Sequence, residues 1–335
     1  MSYHFDDAAA DRAVEFIERF CTHVKGELGG KPFLLEAWQK DDIIRPLFGW
    51  KKDDGTRRYR TCYVEIPRKN GKSNLSAAIA LYMLFADGEP GAEVISAAGD
   101  RGQANIVFNI AQEMINNSRH LRSRAKVLRN TVNYKSSFYR SISAEAYTKH
   151  GLNCHAVIMD ELHTQPNDEL TRVLQTSMGA RRQPLFIALT TAGHDRSSIC
   201  YEFHEYAKKV RDGIIEDDTF LPVLYAADID DDWTDEATWR KANPGYGTIC
   251  RKDYFEQAVK NAKANPSMVN SFLRLHLNIW TSAETAWIPD DIWMKGNKPI
   301  PHDRLHTLPC YGGLDLASTQ DLTAFALLFA DVEHD

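Results

Sequence analysis

The sequence predicts an α/β protein built on a mainly parallel, doubly wound sheet, with a phosphate-binding loop (P-loop) in its first half and a small lid-like second subdomain. Three observations carry this. Apolar runs of strand length alternate with helix-length runs between residues 60 and 193, the pattern of strand–helix crossovers. The turn Gly71-Lys72-Ser73 sits between a strand pattern and an apolar helix pattern. A second apolar run, HAVIMD at 155–160, ends in the acids Asp160 and Glu161.

The elements follow in order. Residues 5–24 read as an amphipathic helix, followed by a Pro-containing apolar stretch that holds Trp38-Gln39. RTCYVEI (60–66) alternates as a strand, and the helix after Ser73 runs to about Ala86, where DGEPG breaks it. AEVISAA (92–98) is a strand and residues 100–117 a helix. PLFIALTTAG (184–193) is a strand ending in small and hydroxyl residues. After residue 210 the chain turns rich in Asp, Trp, Pro and Gly, with helix patterns at 252–264 and 267–277. Three prolines in 295–309 mark a linker, and the following segment begins a hairpin. The expected organisation is a core at 1–210, a second subdomain at 211–295, a linker at 296–309 and the opening strands of a further domain at 310–335.

Bulk properties narrow the classes. The 335 residues are 43% hydrophobic and 26% charged, as in ordinary globular proteins. No apolar run approaches 18 residues, so no membrane helix is expected. The first twenty residues lack the basic and apolar regions of a secretory signal. Six cysteines are scattered without a CxxC pair, which argues against zinc and redox motifs and for free thiols in a reducing compartment. A net charge of −6 leaves nucleic-acid binding to local basic patches.

The chemistry concentrates in two places. A Gly-Lys-Ser turn entering a helix aims backbone N–H groups at phosphate oxygens. Lys72 adds a charge for the β- and γ-phosphates of ATP, and the Ser73 hydroxyl suits Mg²⁺. The loop Arg68-Lys69-Asn70-Gly71-Lys72-Ser73-Asn74 is the expected nucleotide-binding set, although Ile66 stands where the usual pattern has a glycine. Arg68 and Lys69 add two cations, with Arg68 expected near the γ-phosphate; they also fit a solvated basic turn. At the second place, Asp160 would hold the Mg²⁺ shell and Glu161 would deprotonate the attacking water. The same acids also fit a helix cap. Thr190 and Thr191 end the next strand, where hydroxyls could contact Glu161 or the γ-phosphate.

Between residues 119 and 140 lie seven basic residues and no acid: Arg119, Arg122, Arg124, Lys126, Arg129, Lys135 and Arg140. Such a stripe suits sequence-independent phosphate contacts with DNA. It also fits a solvated basic hairpin.

Taken in order, these motifs resemble the large terminase subunit of tailed bacteriophages, an ATP-driven DNA-packaging motor. FLLEAWQ resembles the adenine motif, which implies that Gln39 reads the base. RKNGKS resembles the family's phosphate loop without its first glycine. SAAGDRGQA, VIMDELH, LTTAG, FLRLHLNIW and GGLDLASTQDLTA resemble the segments that follow, across about residues 30–330. The resemblance implies a homo-oligomeric ring of five subunits on the portal protein of a procapsid, in the cytoplasm of an infected bacterium. It implies double-stranded DNA and a small terminase subunit as partners. It also implies an RNase H-like nuclease using Mg²⁺ or Mn²⁺, with Asp315 as first metal-binding aspartate. Only 20 residues follow Asp315, and a two-metal site takes carboxylates from several strands. ATPase activity without DNA cleavage is therefore expected of this chain.

Ring ATPases use a cation from a neighbouring subunit. Lys149 sits where the family carries such a residue, and Arg140, Arg181 and Arg182 are competitors. A helicase-like or repair ATPase acting on DNA is the alternative function, and a nucleotide-binding assembly module a third. The former would show a second ATPase-like domain in place of the Asp315 motif.

Overall fold

The computed structural model describes residues 2–143, 151–281, 294–297, 302–316 and 323–330. The chain forms two compact units, Met1–Ala286 and Trp287–Asp335.

The first unit opens with β1 (Tyr3–Phe5) and α1 (Asp7–Phe20). Asp6 caps α1 by accepting from the Ala9 amide at 2.9 Å, which satisfies a donor left over at the helix start. α2 (Ala37–Gln39) continues through one π-helical turn into α3 (Arg45–Gly49). β2 (Trp50–Lys52) then pairs with β1. β3 (Thr61–Glu65) leads into α4 (Lys72–Phe85), which is apolar all round. A helix with no polar face belongs in the core, and Leu75 through Leu84 are all buried there.

β4 (Glu93–Ala98) and α5 (Arg101–Asn117) form the next crossover, with Asp100 capping α5. Then come α6 (Arg119–Arg122), β5 (Lys126–Val127), β6 (Val132–Tyr134) and β7 (Ser137–Ser143). β8 (Ala156–Asp160), α7 (Glu169–Thr176), β9 (Leu185–Thr190), α8 (Ile199–Arg211) and β10 (Phe220–Leu224) complete the layer. The sheet order is β10-β3-β9-β8-β4-β7-β6-β5. The first six strands are parallel, and β6 and β5 close the far edge as antiparallel hairpins.

Among the described residues, the interval between α4 and β8 holds β4, α5, the short α6 and a β5–β6–β7 meander. Two features differ from the sequence expectation. β10 is an additional strand that Pro222 disguises. Proline donates no ladder hydrogen bond and is tolerated on an edge strand, which is where β10 lies. Because β10 returns the chain to the main sheet, the boundary expected at 210/211 falls inside this layer. The second cluster begins near Ala227 instead, with α9 (Glu236–Ala242), α10 (Lys252–Ala264) and α11 (Val269–Leu277) around Trp239, Phe255, Phe272 and Leu277.

In the second unit, α12 (His302–Leu305) falls inside the expected linker. β11 (Cys310–Asp315) and β12 (Ala324–Phe329) pair antiparallel, Cys310 opposite Phe329. Tyr311, Leu314, Phe325 and Leu328 are exposed on this hairpin.

Candidate nucleotide site

Parallel strands collect ligands at their carboxyl ends, and β3, β9 and β8 lie side by side there. β3 delivers Ile66, whose amide donates to the Thr190 carbonyl at 3.0 Å. Its side chain is fully buried. The position that usually holds glycine therefore prolongs the strand pairing. The sharp turns come later, at Lys69 (φ 70°) and Gly71 (φ 80°). Both lie in the left-handed region, where glycine is favoured and lysine is strained.

Lys72 opens α4 with a buried ammonium. It donates to the Ile66 carbonyl at 3.0 Å, the Pro67 carbonyl at 3.3 Å and the Thr191 hydroxyl at 2.7 Å. Burial pushes its pKa below the usual lysine value, opposed by the charges of Glu161 and Asp160. Arg68 and Lys69 are exposed, and Ser73 lies half-buried in the first turn of α4. The Asn70 side-chain amide is buried and braces the loop. It donates to Asn243 Oδ1 at 2.8 Å and Pro67 O at 3.2 Å and accepts from the Gly245 amide at 3.2 Å. The Arg68 amide donates to Leu275 O at 2.9 Å. Through these bonds the loop rests on α9 and α11.

A cavity of about 640 Å³ adjoins the loop, lined by Phe33, Leu34, Gln39, Gly71, Asn74 and Ile249 among others. This size and apolar lining suit a small-molecule ring. Gln39 is buried, and its Oε1 accepts from the Glu36 amide at 3.1 Å. Its Nε2 has no hydrogen-bond partner among the described residues and lies 3.6 Å from where a Cβ on Gly71 would stand. An unpaired buried amide is costly, and a base edge in the cavity would satisfy it.

β8 ends at Asp160, 3% exposed, with Oδ1 lacking a partner among the described residues. Burial, followed by the neighbouring Glu161 charge, pushes its pKa up to about 7. Glu161 adopts a left-handed conformation (φ 48°, ψ 54°), so the two adjacent carboxylates leave the strand in different directions. Glu161 Oε2 lies 3.3 Å from His163 Nδ1. That distance suits an ion pair, but burial pushes the His163 pKa down to about 4, so the imidazole is neutral near pH 7. The same Nδ1 lies 3.1 Å from Thr190 Oγ1, which also receives the His163 amide at 3.1 Å.

A single Mg²⁺ fits this donor set. Among the described residues no cluster of three or more His, Cys, Asp or Glu could hold a metal. Magnesium beside a nucleotide takes one or two protein ligands and phosphate oxygens. Asp160, with its orphaned oxygen, and Ser73 would be those ligands.

The remaining predicted residues lie elsewhere. Arg181 is held at the amino ends of the strands, donating to Asn153 O, Gly91 O and Glu89. Arg182 lies there too, reaching Asp54 O. Arg140 is on β7, half-buried over the Phe138 ring. Lys149 lies outside the described residues. Arg119 and Arg122 on α6, and Arg124, Lys126, Arg129 and Lys135 in and around the β5–β6 hairpin, are exposed, with no ion pair among the described residues. Asp315 is exposed at the end of β11.

Sequence reading missed His163, Asn243, Asn278 and Trp280. Asn278 links the Ala192 amide (2.7 Å) to Tyr225 O (2.7 Å). Trp280 covers Gly193, where a Cβ would meet its ring at 2.9 Å. It also donates to the buried Glu65 at 3.2 Å. FLRLHLNIW and LTTAG were both visible, but nothing in the sequence showed that they meet.

Comparison with known proteins agrees with this geometry. The family model "Terminase large subunit, ATPase domain" matches residues 37–209, and "Terminase large subunit, endonuclease domain" matches 214–334. The terminase large subunit of Enterobacteria phage HK97 is 32% identical over 329 residues, covering 95% of this chain and 62% of that protein. Protein YmfN of Escherichia coli (strain K12) is 33% identical over 180 residues, 53% of this chain and 40% of that protein. The crystal structure of the HK97 large terminase superposes with a TM-score of 0.72 at 27% identity, over 97% of this chain and 65% of that one. The chain thus spans less than two thirds of the HK97 relative's length. The ATPase pattern covers just over half of the chain and includes Lys72 on α4, Asp160 on β8 and Thr190 on β9, and on that ground the chain belongs to the terminase large subunit family.

Proposed function

We propose that this chain carries the ATP-hydrolysing motor of a terminase that drives double-stranded DNA into a procapsid. The observation that supports it most directly is that Lys72, bonded at 2.7 Å to Thr191 just beyond β9, stands at the same carboxyl end of the sheet as Asp160 at the end of the adjoining strand β8. In this reading Gln39 holds the adenine edge, while Lys72 and the backbone of the loop bind the phosphates. Arg68, exposed on the loop, supplies charge at the γ-phosphate. Asp160 and Ser73 hold Mg²⁺, which when bound neutralises phosphate charge. Glu161 takes a proton from the attacking water.

Glu161→Ala is expected to lower hydrolysis by about 10²- to 10⁴-fold while ATP binding persists. Unchanged turnover in that variant would remove Glu161 as the base. The cation that completes the site comes from a neighbour in a pentameric ring, with Lys149 and Arg140 as candidates. Arg181 is already held by four acceptors, which weakens its case, whereas the exposed Arg182 is engaged at Asp54 alone among the described residues. Specific activity is then expected to rise with protein concentration, and constant specific activity would count against the ring.

The exposed basic residues on α6 and around the β5–β6 hairpin are the DNA-contact candidates, and DNA affinity should fall steeply with salt. Portal protein and a small terminase subunit are the proposed partners, in the host cytoplasm. DNA cutting with Mg²⁺ or Mn²⁺ is assigned to the whole protein, with Asp315 as one metal ligand. Asp315 is the one acid on the two described strands β11 and β12, and a two-metal site needs several carboxylates. A plasmid-nicking assay with either metal tests whether this chain cuts.

A further inference from the structure

The Glu161 carboxylate needs a defined direction if it is to take a proton from water. It sits half-buried on a left-handed residue, and among the described residues its Oε2 has no well-formed hydrogen bond. The polar side-chain atom at its side is His163 Nδ1, at 3.3 Å. Nδ1 also faces Thr190 Oγ1 at 3.1 Å.

The tautomer follows from the partners. The Thr190 hydroxyl donates to the Thr191 carbonyl at 3.1 Å and accepts from the His163 amide. It therefore faces Nδ1 as an acceptor. An ionised Glu161 is also only an acceptor. Both neighbours want a proton on Nδ1, and a neutral imidazole carries one N–H. One donor thus stands between two acceptors.

We propose that His163 is a positioning residue that orients the Glu161 carboxylate by sharing a single Nδ1–H bond between Glu161 and Thr190. This rests on the hydrolytic reading above. Thr190 is joined through the backbone to Thr191, whose hydroxyl receives the Lys72 ammonium. A phosphate that draws Lys72 away from Thr191 acts on the strand end to which His163 is bonded. The N–H then turns towards Glu161 and fixes it for catalysis. No bond to substrate is made by His163, and no proton is transferred from it.

The position is held firmly enough for this role. The His163 side chain is 6% exposed. Its Cβ would lie 3.5 Å from a Cβ placed on Gly193, and the Trp280 ring closes the other side at 2.9 Å. Any side chain at 193 would displace one of them.

The test uses single-turnover ATP hydrolysis and nucleotide binding on this chain, with circular dichroism to confirm folding. His163→Ala is expected to lower the hydrolytic rate by about 100-fold, the scale for a misplaced reacting group, with ATP affinity unchanged. His163→Asn places an amide N–H near the Nδ1 position and should recover most of the rate. Thr190→Val should slow hydrolysis, and His163→Ala combined with it should be no worse than His163→Ala alone. The proposal is overturned if His163→Ala hydrolyses within twofold of wild type, if His163→Asn is as slow as His163→Ala, or if the two losses multiply. Glu161→Ala separates the two levels. An active Glu161→Ala overturns the hydrolytic reading itself, whereas an inactive Glu161→Ala beside a normal His163→Ala overturns only the role of His163.

Discussion

The ammonium of Lys72 donates a 2.7 Å hydrogen bond to the hydroxyl of Thr191, across 119 positions of sequence. The phosphate loop and the end of β9 are thereby one polar unit, since Thr191 also donates to the Ile66 carbonyl at 3.2 Å. Hydrogen bonds to an ionised group contribute about 1.5–3 kcal/mol.

Thr191→Val removes this hydroxyl while keeping the shape of the side chain. Its unfolding free energy in urea, without nucleotide, is expected to fall by about 2 kcal/mol. Thr191→Ser keeps the hydroxyl and should lose clearly less. Equal losses in the two variants would show that packing, not the bond to Lys72, is what Thr191 supplies.

Gln39 is tested by selectivity. Its buried Nε2 lacks a partner while its Oε1 is engaged by Glu36, so the side chain is oriented before any base arrives. Gln39→Ala is expected to weaken ATP binding roughly tenfold, about 1.4 kcal/mol, and to narrow the preference for ATP over GTP. Competition binding with both nucleotides measures this. An unaltered preference would remove Gln39 as the base reader.

Asn70 and Asn243 form a joint between the loop and α9, and their amides meet at 2.8 Å. Each alanine substitution leaves buried polar groups without a partner, a cost of about 1–3 kcal/mol. Asn70→Ala and Asn243→Ala are both expected to lower the melting temperature and weaken ATP binding. The double variant should be little worse than either single one. Additive losses in a double-mutant cycle would separate the two residues.

Acid stability should depend on Asp87. Burial alone would raise its pKa, but the Arg57 charge and hydrogen bonds from His155 and Arg57 outweigh that and hold it below the usual carboxylate value. The contacts are 2.8 Å to Arg57 and 2.7 Å to His155. A carboxylate whose pKa is lower folded than unfolded adds stability above its unfolded pKa, about 3.9. That contribution is lost as pH falls through the folded value. Asp87→Asn should therefore flatten the acid limb of stability against pH below about pH 4. Arg57→Leu leaves the buried Asp87 carboxylate without its guanidinium, with His155 still at 2.7 Å, and should cost about 3 kcal/mol at neutral pH. Urea titrations across pH read both, and a wild-type acid limb in Asp87→Asn would refute the assignment.

Much of the site was legible because its signals are local. A strand, a Gly-Lys-Ser turn and an apolar helix are adjacent in sequence, and the structure places Lys72 at the first turn of α4 as that pattern implies. The helix at 252–264 appears with the same bounds. What the Asn70 side chain does was not legible, because its partner Asn243 lies 173 positions away. β10 was missed because Pro222 breaks the strand pattern, although an edge strand tolerates it.

The sequence by itself determined the α/β class, the Gly-Lys-Ser turn without its first glycine and the acidic strand end, because each depends on residues within one turn or strand. Only the tertiary structure decided that β9 lies between β3 and β8, and hence that Thr191 meets Lys72 while Thr190 meets His163. It likewise decided that Trp280 closes over Gly193. Periodicity records which face of a strand is buried, but strand order depends on long-range pairing that no local pattern carries.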